Sequence, residues 1–190
     1  MTENHAGSGE PAWVADVIRF WLEETPAEKR FRRDDAIDAQ IAARFGDRLA
    51  SLAAAPPPTS SLTPRLALAA VIVLDQFSRN MFRGSPRAFA TDTTARAIAI
   101  AAVDARLDRG LDTMARLFLY LPFEHSETMA DQDRSVALIA TLGDPELDRY
   151  ARAHRDIIER FGRFPHRNAA LGRTSTAEEI EFLKGPGSSF

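Results

Sequence analysis

Apolar residues recur at helical spacing along most of the chain. Ile37, Ile41, Phe45 and Leu49 follow one another at intervals of four, which predicts a helix over about residues 34–54. Comparable stripes predict further helices over about residues 11–25, 63–82, 91–103, 111–121, 126–142, 145–161 and 174–184. No stretch of useful length alternates with a period of two. The pattern therefore predicts an all-α protein of about eight helices with short connections.

Proline and capping residues mark the predicted helix ends. Thr63 is expected to cap a helix whose first position is Pro64, and Pro122 is expected to end the helix over about 111–121. Ser126 is then expected to start the next helix. Thr176 and the glutamate three residues later have the spacing of a capping box.

The chain is expected to form one helical domain over residues 11–190, preceded by a loose polar tail over residues 1–10. The proline-rich break at residues 56–58 is interpreted as a connector within that domain. Both expectations rest on composition, since small polar residues dominate the first ten positions.

Composition and charge exclude several classes of function. The 190 residues include 24 basic and 27 acidic ones, a formal net charge of −3, and no cysteine. Disulfides, cysteine-based zinc sites, iron–sulfur clusters and thiol catalysis are therefore excluded. The near-neutral net charge does not indicate the positively charged surface that binds nucleic acid. The most apolar stretch, residues 66–74, is far shorter than the ~20 residues of a membrane span. With no signal-peptide pattern at the start, we expect a cytoplasmic protein that binds neither nucleic acid nor membranes.

The first candidate for chemistry lies near the end of the helix predicted over residues 63–82. Asp75 precedes Arg79 by four residues, the favourable order for a helical ion pair, and Arg83 follows on the same face with Asn80 beside it. Two guanidinium groups on one face suit a carboxylate or a phosphate. The same spacing also fits an exposed ladder of ion pairs or a buried structural network, and all three interpretations stay open here.

The second candidate follows the apolar run at residues 119–123. Glu124, His125 and Ser126 come where a turn is expected to meet a helix N-terminus, a place that disfavours imidazolium and favours anions. A neutral His125 is suited to act as a base or a hydrogen-bond donor. In the alternative interpretation Ser126 caps the helix and His125 only fixes the turn. His154 stands on an apolar helix face, which is typical of a core histidine, and no spacing of histidines indicates a metal site.

The third candidate is the basic stretch over residues 149–173, whose local formal charge is +5 with neutral histidines. Within it, Phe161 and Phe164 alternate with basic and polar side chains, namely Arg163, His166, Arg167 and Asn168. Such a loop fits a structural role at helix ends, a small-anion site or a contact with single-stranded nucleic acid. The slightly acidic chain and the small number of aromatic rings argue against nucleic acid.

These stretches resemble the signature blocks of a known family. The blocks are DQFSRNMFR at 75–83, YLPFEHSE at 120–127 and FGRFPHRN at 161–168, and in this order they resemble the DUF924 family over about residues 12–184. The resemblance implies an antiparallel array of helix pairs of the tetratricopeptide-like superfamily, and it supplies no reaction, cofactor or catalytic residue. Ser78 stands where the family usually has proline, which implies a straighter helix at that point.

Three functions are consistent with the sequence, and a binding module ranks first among them. It would be a helical protein whose polar site takes a small anionic ligand or a peptide, lined by Asp75, Arg79, Asn80, Arg83, Arg163, His166, Arg167 and Asn168. A structural scaffold for protein contacts ranks second. A hydrolase or lyase ranks third, with His125 or His154 as general base and Glu124 or Asp75 as the orienting carboxylate. No metal and no cofactor is expected, and the oligomeric state is left open.

Overall fold

The computed structural model describes residues 9–188, which form helices joined by turns and loops and contain no strand. Nine helices follow one another: α1 (residues 12–24), α2 (Ala27–Arg30), α3 (Asp35–Ala54), α4 (residues 64–81), α5 (Asp92–Asp104), α6 (Thr113–Glu124), α7 (Met129–Ala140), α8 (Pro145–Phe161) and α9 (Ala177–Phe182). Short 3-10 turns lie between them at 59–61, 86–89, 107–110 and 165–167. The predicted all-α class and the count of about eight helices are confirmed.

Local sequence accounts for most helix boundaries. The Asp34 carboxylate accepts hydrogen bonds from the backbone N–H groups of the first turn of α3, and Thr63 caps α4 in the same way ahead of Pro64. Asp144 caps α8, and Gly162 ends it in the left-handed conformation at φ 69°, where a side chain would be strained. The predicted capping box before α9 is present in full.

Two helices contain a π-helical segment, Arg19–Glu24 in α1 and Ile72–Phe77 in α4. The two segments meet in the core, where the ring of Phe77 lies 5.9 Å from Phe20 and 5.4 Å from Trp21. A π turn takes in one extra residue and so re-aims the side chains that follow, and such turns are frequent at functional sites. The segment in α4 carries Asp75.

Helix α4 is the central element, with a run of buried residues from Ala67 to Leu74 and Phe77 beyond it. It packs against α1, α3, α5 and α6, while α6, α7 and α8 pack on one another in chain order. A helix surrounded in this way buries side chains on all sides. Polar residues on its C-terminal half therefore have to find partners on neighbouring helices.

Two predicted boundaries were wrong at the turn between α6 and α7. Pro122 does not end α6, which continues to Glu124, because the proline removes one hydrogen bond while the His125 N–H closes the last turn on the Leu121 carbonyl at 2.8 Å. Ser126 does not start α7, which begins at Met129. His125 is thus the C-cap of α6.

The predicted tail over residues 1–10 lies outside the described residues except for Gly9 and Glu10, and Glu10 pairs with Arg65 at 3.1 Å. Across the described part of the chain, none of the helices combines the length and the apolar character that crossing a bilayer requires.

Candidate functional site

Asp75 is the centre of a buried polar cluster. Its side chain is 1% exposed; Oδ1 accepts a hydrogen bond from His125 Nδ1 at 2.8 Å and lies 3.1 Å from Arg79 Nη1. The Gln76 amide donates to the other oxygen, Oδ2. Burial alone would raise the pKa of Asp75, but the charge of Arg79 and the hydrogen bonds from His125 and Gln76 outweigh it and hold that pKa well below its usual range. Asp75 is therefore a carboxylate at neutral pH, with both oxygens occupied.

His125 reaches Asp75 from the C-terminal end of α6. Burial, together with the charges of Arg79 and Arg167, lowers the pKa of His125, and Asp75 opposes this only in part. The imidazole is therefore neutral at pH 7, with the Nδ1 proton donated to Asp75. The expectation that His125 lies at a helix N-terminus was wrong, because His125 is the C-cap of α6. A helix C-terminus favours the charged imidazolium, so this position does not explain the neutral ring. The neutral state arises from burial instead.

Arg79 ties α4 to the start of α5. Its Nη1 and Nη2 donate to the two oxygens of Asp92 at 2.8 and 2.9 Å, and Nη1 also donates to the Asp75 backbone carbonyl at 2.8 Å. Such a bidentate pair is among the stronger polar contacts in proteins. Asp92 could not be identified as part of the site from the sequence, because nothing local indicates that an arginine 13 residues earlier binds it.

Arg167 enters the cluster from the 3-10 turn Pro165–Arg167. Its guanidinium carbon lies 4.4 Å from the ring centre of Phe164 and 4.9 Å from that of Phe89, and the residue is 6% exposed. Nη1 is 3.8 Å from Asp92 Oδ2, too far for a hydrogen bond, and the buried Nε has no hydrogen-bond partner among the residues that the structure describes. Burial, followed by the charge of Arg79, lowers its pKa to about 10, so the guanidinium remains charged at pH 7.

The loop that carries Arg167 is anchored by Glu127, directly after the α6–α7 turn. Both carboxylate oxygens accept from Arg173 at 2.7 and 3.0 Å, and one also accepts the backbone N–H of Phe164 at 2.8 Å. These contacts hold the third sequence block against the second one. Arg167 and His125 consequently face the same cluster although 42 residues separate them in the chain.

Behind His125 lies a second buried pair, Glu124 and His154. Burial, with a contribution from Asp75, raises the pKa of Glu124 to about 8, and burial lowers the pKa of His154 to about 3. Both groups are neutral at pH 7, so the 3.4 Å between Glu124 Oε1 and His154 Nδ1 is not an ion pair. The Nδ1 proton of His154 instead goes to the Tyr150 carbonyl at 2.9 Å.

His166 completes the aromatic side of the cluster. Its ring lies 5.6 Å from that of Phe164, which also contacts His154 at 5.7 Å. Burial, followed by the charge of Arg167, lowers the pKa of His166 to about 4. The imidazoles around Arg167 are thus neutral at pH 7, and they do not compete with it for an anion.

The remaining predicted residues lie elsewhere. Arg83 donates to both oxygens of Asp38 on α3 at 2.6 and 3.0 Å, and Asn80 donates to the same carboxylate at 2.7 Å. Arg163 donates to both oxygens of Glu179 at 2.7 and 2.9 Å. Asn168 contacts Glu179 as well, at 3.3 Å. The structure therefore brings together Asp75, Arg79, His166 and Arg167 with the three proposed catalytic residues, and it places the other four in two separate networks.

Glu179 is expected to be the fixing point of the C-terminal segment, because it accepts from Arg163, from Asn168 and from the N-cap of α9. Its alanine variant should melt several degrees below the wild type. The matched control is Glu178→Ala, because the neighbouring Glu178 forms only an exposed pair with Arg160. Thermal unfolding followed by circular dichroism compares the two; equal melting temperatures would contradict the assignment.

Fold and site together define an all-helical protein in which three distant sequence blocks form one buried Asp–His–Arg cluster. The chain belongs to the DUF924 family, whose model, described as a bacterial protein of unknown function, matches residues 17–187. It is similar to a solved structure described as "Structure of Protein of Unknown Function ATU0120 from Agrobacterium tumefaciens", with 40% sequence identity and a TM-score of 0.86. The similarity covers 92% of this chain and 98% of that one. No curated protein sequence matches the chain.

Proposed function

We propose that the protein is a cytoplasmic helical binding module, built of tetratricopeptide-like helix pairs, whose cluster around Arg167 takes a small anionic ligand. One observation carries the proposal. The Arg167 guanidinium is buried and charged, yet its side chain donates no hydrogen bond to any residue between 9 and 188. Buried polar groups in proteins are nearly always hydrogen-bonded, so an acceptor that arrives with a ligand explains this one.

Arg167 lacks hydrogen-bond acceptors, although the charges of the cluster are balanced. Arg79 and Arg167 stand against Asp75 and Asp92, so these formal charges balance. Both oxygens of Asp92 are already bound by Arg79. A carboxylate or phosphate group offers two oxygens to a guanidinium in a fitting geometry.

Three side chains of the cluster are partly exposed to solvent. The side chains of Asp92, Arg79 and His125 are 25%, 18% and 16% exposed, against 7% for Arg167. Arg167 would therefore be the inner end of the site, and the other three would line its entrance. A ligand has to be small or narrow to reach that inner end.

A scaffold role is the second candidate, and the paired arginines favour it. Arg83 with Asp38 joins α4 to α3, and Arg163 with Glu179 joins the end of α8 to α9. In both networks the arginine already binds both oxygens of its carboxylate through Nε and Nη2. We assign them to holding the helices together and restrict the ligand site to the cluster around Arg167.

Thermal unfolding in the presence of inorganic phosphate or succinate tests the binding proposal, with sodium chloride matching the ionic strength. A ligand at 100 times its dissociation constant stabilises by about 2.7 kcal/mol, which corresponds to about 5–10 °C for a chain of this size. We expect at least one of the two anions to raise the melting temperature of the wild type.

The variant Arg167→Gln should abolish this rise. Arg149→Gln is the matched control, since Arg149 is 70% exposed and contacts Glu146 at 3.5 Å and the ring of the neighbouring Tyr150, both at the surface. It should retain the full response. No rise in the wild type with either anion, or an undiminished rise in Arg167→Gln, would refute the proposal.

A further inference from the structure

We propose that Asp75 and His125 form a general base that activates water, so that the anion site is the active site of a hydrolase for small carboxylic esters that carry a free carboxylate. The inference rests on the proposed function, because Arg167 would hold that carboxylate. His125 would be the catalytic residue and Asp75 a positioning residue.

The tautomer of His125 is fixed by geometry. The Nδ1–H points at Asp75 Oδ1 at 2.8 Å, and Asp75 itself is held by Arg79 and by Gln76. The lone pair of the neutral ring is therefore on Nε2. That atom has no hydrogen-bond partner in the described part of the chain, and it is not among the buried atoms that lack one. It faces accessible space, as a base that takes a proton from water must.

The contrast with His154 shows which of the two histidines suits this role. His154 is 6% exposed on its side chain and donates Nδ1–H to Tyr150, a backbone carbonyl of its own helix. A carbonyl fixes a ring but carries no charge to stabilise an imidazolium. The Asp75 carboxylate supplies that charge to His125, as the carboxylate of a catalytic Ser-His-Asp triad does for its histidine.

The reaction balances with water as the only co-reactant. His125 Nε2 takes one proton from water while the water oxygen bonds to the ester carbonyl carbon. The tetrahedral intermediate then breaks its bond to the alcohol oxygen, which receives the proton back from His125. The products are a carboxylic acid and an alcohol, and the imidazole ends as it began. Asp75 remains ionised throughout and stabilises the transient imidazolium.

The guanidinium of Arg167 indicates which class of ester the site would accept. Arg79 already donates from Nη1 and Nη2 to Asp92 and to the Asp75 carbonyl, whereas Arg167 donates no side-chain hydrogen bond to any described residue. One guanidinium is sufficient to bind one carboxylate group of the substrate. Transfer of a phosphoryl group instead needs stabilisation of charge on three equatorial oxygens. The site is thus better suited to an acyl substrate with a carboxylate than to a phosphoester.

Three chromogenic probes test this: mono-p-nitrophenyl succinate, p-nitrophenyl acetate and p-nitrophenyl phosphate. We expect the wild type to hydrolyse the succinate half-ester with a kcat/KM at least about tenfold above that for the acetate. His125→Gln should lower kcat by about 10²–10⁴-fold, the usual contribution of a general base. Arg167→Gln should raise KM for the half-ester much more than KM for the acetate, which has no carboxylate for Arg167 to bind, while Arg149→Gln should behave like the wild type.

Nitrogen-15 NMR of the wild type adds a readout that does not depend on any variant folding. The His125 ring should show a protonated Nδ1 and an unprotonated Nε2 at about pH 7. A protonated Nε2 in the neutral ring would overturn the proposal. In Asp75→Asn, where that variant folds, we expect a shifted pH profile of kcat, which a purely structural Asp75 would not change.

The outcomes separate this inference from the binding proposal. Stabilisation by succinate without turnover of the half-ester, or turnover unchanged in His125→Gln, overturns the general base and leaves the binding module intact. Hydrolysis of p-nitrophenyl phosphate that depends on His125 overturns the acyl assignment. Absence of both stabilisation and turnover refutes the two proposals together.

Discussion

Asp75→Asn lowers the melting temperature by about 6–20 °C at neutral pH, the largest loss that we expect from any single substitution in the cluster. Removing one partner of a buried ion pair costs about 3–5 kcal/mol, and each kcal/mol corresponds to about 2–4 °C in a chain of this length. The variant side chain keeps its shape but no longer neutralises Arg79, and it offers a donor where Gln76 already donates. Thermal unfolding followed by circular dichroism measures the shift.

The pH dependence of that loss gives a second check. The pKa of Asp75 is depressed in the folded protein, so the stability that its charge contributes is complete above the pKa of the unfolded chain and is lost as the pH falls towards the folded value. The difference between wild type and Asp75→Asn should therefore shrink steadily below about pH 4. A difference that stays constant in acid would contradict the assignment.

Asp35→Asn is the control for both measurements. Asp35 pairs with Arg33 at 2.8 Å, and both side chains are more than two-thirds exposed. Pairs of this kind contribute about 0–1 kcal/mol, because water screens them. A loss in the control comparable to that in Asp75→Asn would show that the substitution, rather than the buried contact, lowers the stability.

The helices could be predicted because their signals are local. The stripe from Ile37 to Leu49 and the caps at Thr63 and Thr176 lie within a few residues of what they control, and the structure places each where the sequence predicts it. Pro122 is the exception. Its cost depends on how many hydrogen bonds remain after it, and near the end of α6 few remain to be lost.

The π-helical segment at Ile72–Phe77 could not be predicted in the same way. A π turn has fewer favourable contacts of its own and persists where tertiary packing supports it. Here the support comes from Phe77, which packs on Phe20 of α1 and on Phe45 of α3. Such contacts are defined only after the helices have assembled.

The pairings within the candidate site could be predicted only where both partners lie on one helix. Asp75 and Arg79 are four apart, and the helix brings them to 3.1 Å as expected. Arg83 has the same spacing from Arg79 but binds Asp38, which precedes it by 45 residues. Spacing along one helix says which side chains share a face, whereas the partner across the interface depends on helix packing. Of the four arginine candidates, only Arg167 makes no side-chain hydrogen bond among the residues that the structure describes.

Glu124→Gln should stabilise the protein at pH 8, in contrast to almost every other change at a buried polar residue. Burial raises the pKa of Glu124 to about 8, while the unfolded chain ionises near the ordinary value. Between these two values the unfolded state binds fewer protons than the folded state, so the wild type loses stability as the pH rises. Glutamine has nearly the same shape and no proton to lose, so it avoids this loss.

The gain should grow from near zero at about pH 4.5 to about 2–5 kcal/mol at pH 8, since each unit between the two pKa values contributes 1.36 kcal/mol. Urea denaturation at both pH values measures it. Glu146→Gln is the control, because Glu146 is 69% exposed and should show no such trend. Because Asp75 contributes to the raised pKa, the gain should be smaller when Glu124→Gln is made in the Asp75→Asn background. A gain that is the same at both pH values would show that Glu124 is not the buried neutral acid that its surroundings imply.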